Sequence, residues 1–486
     1  VVVRAVGRVV VAVGLATAVF AGPVAAEPTE LSEPASASAP ARRVVPASIG
    51  TDLVSVFQSP STSAEVVARA QAAAHAAGGV GTPRTGFSIG MTQVRRGATV
   101  VQAAPSGMRI PMGVTALPAE VAARVMTADV GAALRHPGTV VLGRTSADLR
   151  GARAGDTLDL VAAGGGLVTF TVGLVAPDPD VGGAEIVMTT DDARRLGATT
   201  VTSVLLWGFG SRSALEAALV AQGLTERADV RIVRSWDPRD PDGGIGLAAT
   251  KALFGEFAYR VGSDGSVVQD DAWLREHLHC PPGSPTSCRV TMPFTNPLQP
   301  GVQPRLRCHE VTWRALEGAL ADVTAAGLAN RLDVLNWNSL GGCHVARFNR
   351  LSTSLPSYTT LGWLSRHSWG QAIDVNTCML DRPIPWRTCS GSNLLLSARW
   401  YNCQGCEPGL DCEVVRIFRR WGFAWGGNYL TPDGMHLEYV GEPRDRWPYP
   451  SRHCPNEVPL TQGRVAAGPT EREVMFANDG LTDLHS

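Results

Sequence analysis

SRHSWGQAID, residues 365–374, and WGGNYLTPDGMHLE, residues 425–438, decide how the second half of this chain reads. Ala372-Ile373-Asp374-Val375 is a short apolar run that reads as a buried strand, and Gly370 supplies the turn that folds His367 back beside Asp374. HLEYV (436–440) reads as a second strand, on which His436 and Glu438 stand two apart and so share a face. Asp433 sits three residues before His436, on the turn entering that strand. Two imidazoles and a carboxylate are a natural set for zinc, which takes His nitrogen and Asp oxygen and, at reactive sites, leaves its fourth position to water. The spacing therefore predicts a Zn2+ site made by His367, Asp374 and His436. Asp433 is within reach of a water there, and Glu438 is a second carboxylate beside it.

Working outward, VTWRALEGALADVTAAGL (311–328) repeats apolar residues at helical spacing and ends at Gly327, as a helix packed on a sheet does. All ten cysteines lie at or after Cys280, and most of the twelve tryptophans follow residue 300. This change of composition sets off a disulfide-braced domain over 255–456, helices on a small antiparallel sheet. The even cysteine count predicts disulfides, whose connectivity the sequence leaves open. Cys403-Gln-Gly-Cys406 has neither a second CxxC nor a βαβ setting, and reads as part of that disulfide set.

Upstream, Val-rich alternating runs such as 157–161 and 168–175, with Ala-rich helices at 63–77 and 213–222, predict a separate α+β accessory domain over 48–235. The fold class expected for the chain is thus α+β. Residues 236–254 read as a Pro/Gly-rich linker and 457–486 as a loose tail. Arg4 and Arg8 before an apolar run, closed by Pro23 and Val24-Ala25-Ala26, read as a signal peptide over 1–26, followed by a Pro/Ala/Ser linker over 27–47. A secreted or cell-wall protein is expected, with membrane anchoring if the signal stays uncleaved. Lys plus Arg number 43 against 44 Asp plus Glu, which gives no electrostatic reason to expect nucleic acid as a partner. Gly86-Phe-Ser-Ile-Gly90 fits the G-x-S-x-G nucleophile pattern, but GGVGTPRT before it reads as loop where that motif needs a buried strand.

S-x-H-x-x-G-x-A-x-D, a Gly-Gly-aromatic stretch and D-x-x-H-x-E together resemble the M15 metallopeptidases, as do Gly341-Gly342-Cys343-His344-Val345-Ala346-Arg347. The family comprises D-alanyl-D-alanine carboxypeptidases and L-alanyl-D-glutamate endopeptidases of peptidoglycan. The resemblance covers 255–456. It implies His367, Asp374 and His436 as zinc ligands, Asp433 as general base and Arg347 as partner of the oxyanion or of a substrate carboxylate, with Ser365 in support. Glu438 is the alternative base, and Arg350 and Arg366 are rivals of Arg347. Leu437 and Tyr429 depart from the usual Phe and Trp without touching a ligand. Two other readings stand beside this one. A non-enzymatic zinc-containing binding module would resemble the signalling domain of Hedgehog proteins. Residues 140–178 resemble extracytoplasmic domains of macrolide-exporter-type ABC permeases, which implies a membrane-protein partner for the N-terminal part.

Overall fold

Val- and Leu-rich strands of period two make the first half of the chain one continuous sheet. The computed structural model describes residues 52–226, 229–235, 244–281, 290–291, 305–329, 332, 343–349, 357–375, 412–429, 436–445, 451 and 454. The expected signal peptide, linker 27–47, tail, CxxC pair and Asp433 lie outside the described residues, as do Gly341, Gly342 and Arg350.

The strands are β1 (Leu53–Gln58), β2 (Val80–Arg96), β3 (Thr99–Ala103), β4 (Ile110–Ala116), β5 (Thr139–Gly143), β6 (Thr157–Val161), β7 (Leu167–Ala176), β8 (Ile186–Met188), β9 (Ser203–Trp207) and β10 (Val230–Arg234). They run in the order β10-β1-β9-β2-β4-β8-β5-β7-β6, with β3 hairpinned on β2. A further pairing of β2 with β6 closes β2, β4, β8, β5, β7 and β6 into a barrel. Phe87, Ile89 and Met91 alternate along β2 and meet Leu158, Leu160 and Phe170 in its core. The first part of β2 pairs instead with β9, so one long strand serves both the barrel and a four-stranded flank. Helices Ala64–Ala76 and Arg212–Ala221 pack on one face of that flank. Each is started by a serine, Ser63 or Ser211, whose hydroxyl accepts a hydrogen bond from the first turn.

The expected strand 157–161 is observed as read, and both expected helices are displaced by no more than two residues at either end. The loop expected at GGVGTPRT is not: Val80–Thr85 already belongs to β2, because pairing with β9 outweighs the local bias of Gly81 and Pro83. Gly86–Gly90 thus lies inside a strand, Ser88 is buried there, and no strand-to-helix elbow exists. Residues 247–254, read as linker, form a helix, Leu247–Phe254, whose LAATKALF sequence has high helix propensity.

In the C-terminal part, β11 (Tyr259–Val261) pairs with β12 (Val267–Gln269), and β13 (Val290–Thr291) with β14 (Arg305–Leu306). β15 (Ala372–Asp374), β16 (Phe423–Trp425) and β17 (His436–Tyr439) form an antiparallel sheet with β17 in the middle. Helices Glu310–Ala325 and Cys412–Arg420 cover one of its faces, burying Leu316, Leu320, Val415 and Phe418 against Ile373 and Leu437. The first ends in the turn before Gly327, where φ is +72°, a conformation that glycine adopts without strain. Cys308–Cys343 and Cys412–Cys454 are disulfides, Cys280 is disulfide-bonded too, and no cysteine is free among the described residues. Among the described residues no helix is long and apolar enough to cross a membrane.

Candidate functional site

The ladder of the small sheet brings the two halves of the motif together. Asp374 on β15 stands directly opposite His436 on β17, and Glu438, two residues on, stands opposite Ala372 and Ala424. Period-two alternation puts these residues on one face and Ile373, Leu437 and Trp425 on the other, the face that packs on the helices. The polar face exists because its neighbours are alanines, which leave room beside the Glu438 carboxylate.

His367 arrives from a 3-10 turn, Arg366–Trp369. Ser365 caps that turn, its hydroxyl accepting from the His367 N–H at 3.2 Å, and Gly370 ends it at φ +66°. No side chain fits at Gly370, since a Cβ would stand 2.7 Å from the His309 nitrogen. The turn is braced from behind. Ser365 N–H donates to Arg347 O, Ser368 Oγ donates to the same carbonyl, and Gln269 Nε2 donates to Ser368 O at 2.8 Å. Gln269 Oε1 in turn meets His344 Nε2 at 2.5 Å. Burial, with Arg307 and His367 nearby, holds His344 well below the usual histidine range, so it is a neutral strut.

His367, Asp374 and His436 each offer a ligand atom, all within 4.8 Å of one another. Asp374 Oδ2 lies 3.3 Å from His367 Nε2, and Asp374 Oδ1 lies 3.3 Å from His436 Nδ1. Charge-assisted hydrogen bonds are shorter, at about 2.7–2.9 Å. Two atoms bound to one tetrahedral zinc at about 2.1 Å each are about 3.4 Å apart, close to the two Asp374–histidine spacings, one on each carboxylate oxygen. The ring orientations fit as well. His367 Nδ1 faces the Cys343 carbonyl at 3.1 Å, and donating a proton there leaves the Nε2 lone pair turned to Asp374. His436 Nε2 faces Glu438 Oε2 at 3.4 Å, which turns Nδ1 to Asp374. The donor set therefore fits a zinc ion.

Residues 359–439 match the family model described as D-alanyl-D-alanine carboxypeptidase, of the M15 peptidases. Over that span the C-terminal region is similar to M15 peptidases. A search of curated proteins finds no match to the chain. The matched span contains His367, Asp374 and His436.

The other residues named from sequence sit as follows. Glu438 is 2% exposed and adjoins His436. Arg347 is half-buried, tied through its backbone to Ser365 and Ser368 on the turn that carries His367. Arg366 turns its guanidinium to the segment 244–254, donating to Thr250 Oγ1 at 2.9 Å and to the Ile245 carbonyl at 2.7 Å. Sequence reasoning gave that segment no place at the site, because its contact with the motif joins residues more than a hundred positions apart.

His309 yields an expectation of its own. It caps helix Glu310–Ala325, Nδ1 accepting from the Val311 N–H at 3.2 Å, and burial followed by the charge of His277 lowers its pKa to about 3. Between that value and 6.5 the unfolded chain binds a proton that the folded chain refuses, so stability falls as pH falls through this range. From pH 6.5 to pH 5 the loss is about 2 kcal/mol, at 1.36 kcal/mol per pH unit. Denaturant titrations at the two pH values should show it, and His309→Gln, which keeps an acceptor at the cap, should flatten the dependence.

Proposed function

We propose that this protein is a secreted zinc-dependent peptidase that hydrolyses peptidoglycan stem peptides, as a D-alanyl-D-alanine carboxypeptidase or an L-alanyl-D-glutamate endopeptidase. The observation that carries this reading is the buried His367–Asp374–His436 cluster inside the span matched by the M15 family. Exact stem position and export are part of the proposal, the latter supported by the N-terminal sequence pattern and the cysteine usage.

His367, Asp374 and His436 would hold the zinc. When bound, it supplies Lewis-acid polarisation of the scissile carbonyl and acidifies water. The chain's own groups do the rest. Asp433 takes the proton of the attacking water and returns it to the leaving amine, which leaves a carboxylate and an amine with no net change of protons on the base. Arg347 offers a planar fork of donors to the oxygen that gains charge, or to a terminal carboxylate. Glu438 holds the His436 ring with Nδ1 towards the metal position, and the Cys343 carbonyl holds the His367 ring with Nε2 towards it.

Purified protein should carry about one zinc per chain, lose it together with stem-peptide hydrolysis on dialysis against a chelator, and regain both on adding zinc. Full hydrolysis by metal-free protein would refute the zinc dependence.

A further inference from the structure

The segment between the barrel and the C-terminal sheet touches both. At its start, Gly244 lies against the polar face of the sheet, where a Cβ would stand only 1.7 Å from Glu438 Oε1. Ile245 packs with Ala424, Tyr429 and Val440. Ala424 is the ladder partner of Glu438, so Ile245 covers the same face. Only glycine can approach Glu438 this closely without displacing it.

Further along, the segment is fastened to the barrel. Lys251, on helix Leu247–Phe254, is buried, and its ammonium donates to Glu185 Oε1 at 2.9 Å and to the Pro111 carbonyl. Glu185 also accepts from the Gly113 N–H at 2.8 Å and from Arg150 at 3.1 Å, and Glu256 joins Arg150 and Lys251. Two cations and two carboxylates are thus mutually satisfied in the interior. Lifting the helix away would leave buried charges without partners, which is strongly unfavourable. Phe254 at the helix end is also fully buried, beside Trp273 and Tyr259. Arg366, next to His367, grips the segment at Thr250 and Ile245. Direct contacts therefore run from Glu185 in the barrel, through Lys251 and Thr250, to the turn that carries a metal ligand.

We infer that Gly244–Phe254 is a fixed wall of the catalytic cleft on the Glu438 side, set in place by the barrel, and that it fixes where the peptide substrate lies. The barrel is then part of the substrate site, and Arg366 and Thr250 are positioning residues. This rests on the peptidase reading above. A lid would be tethered by exposed or weak contacts, whereas this segment is held by a buried four-charge cluster.

The test uses full-length protein and Thr250→Val, which keeps the volume and removes the hydroxyl that accepts from Arg366, with Thr250→Ser as the variant that restores it. KM for a synthetic stem pentapeptide should rise about tenfold in Thr250→Val, the effect of losing one hydrogen bond to a charged group. kcat and zinc content should stay near wild type, and Thr250→Ser should recover the wild-type KM. Amide hydrogen exchange should quicken at 244–250 and 365–369 in Thr250→Val alone. A rise in kcat/KM would show that the segment obstructs the site, and loss of zinc would show that it supports the ligands only; either overturns the inference. So would unchanged KM and exchange. If wild-type protein cleaves no stem peptide, the peptidase reading fails, and unchanged exchange would still separately refute the coupling of the segment Gly244–Phe254 to the turn.

Discussion

His436→Ala is expected to remove metal and hydrolysis together. Zinc content should fall from about one per chain to background, and kcat/KM on a stem peptide should fall at least about 1,000-fold. Lewis-acid stabilisation is worth several kcal/mol, and each 1.36 kcal/mol is a factor of ten. The structure explains why this one side chain matters so much. His436 is fully buried on the central strand, faces Asp374 across the ladder, and adjoins a second carboxylate, Glu438. Alanine would leave two ligand groups of three and strip Glu438 of the ring beside it. Metal emission measured alongside kinetics checks it; a variant with full zinc and wild-type turnover would remove His436 from the ligand set.

The two candidate carboxylates, Asp433 and Glu438, should separate in the opposite sense. Asp433→Asn keeps shape and removes proton affinity, so kcat should drop about 100- to 10,000-fold, the usual contribution of a general base, while zinc stays bound. Glu438→Gln should instead weaken zinc binding about 10- to 100-fold, as loss of a group that orients a metal-bound histidine does, with activity recovering when zinc is raised. Its position argues for this division. Glu438 is closed in by Ala372, Ala424 and Gly244 and reaches His436 Nε2, the ring nitrogen turned away from Asp374. If Glu438→Gln abolishes turnover with zinc retained and Asp433→Asn stays active, the base has been assigned to the wrong carboxylate.

What could be read from the sequence was local. A strand at 372–375, a strand at 436–440 and a glycine turn at 370 are each set by a few adjacent residues, and together they predict the meeting of His367, Asp374 and His436. Helix Glu310–Ala325 was legible for the same reason, from its period and the glycine after it. Barrel closure was not, because it depends on β2 pairing with β4 and β6, up to about 70 positions away, which no local pattern encodes. Nor was the course of β2 through Gly81 and Pro83, where partner strands outweigh propensity. The approach of Gly244 to Glu438 had a faint signal at best, a Gly-Gly pair in a stretch that reads as linker; its meaning appears only once the carboxylate is seen against it.

The most direct test of the central claim is mass spectrometry of muropeptides digested by the purified protein, with and without a chelator. Zinc-dependent hydrolysis of stem peptides predicts a metal-dependent product, either loss of one terminal D-alanine or cleavage between L-alanine and D-glutamate, and no such product once the chelator is present. Muropeptides left intact by zinc-loaded protein, or cut equally well with the chelator, would contradict it.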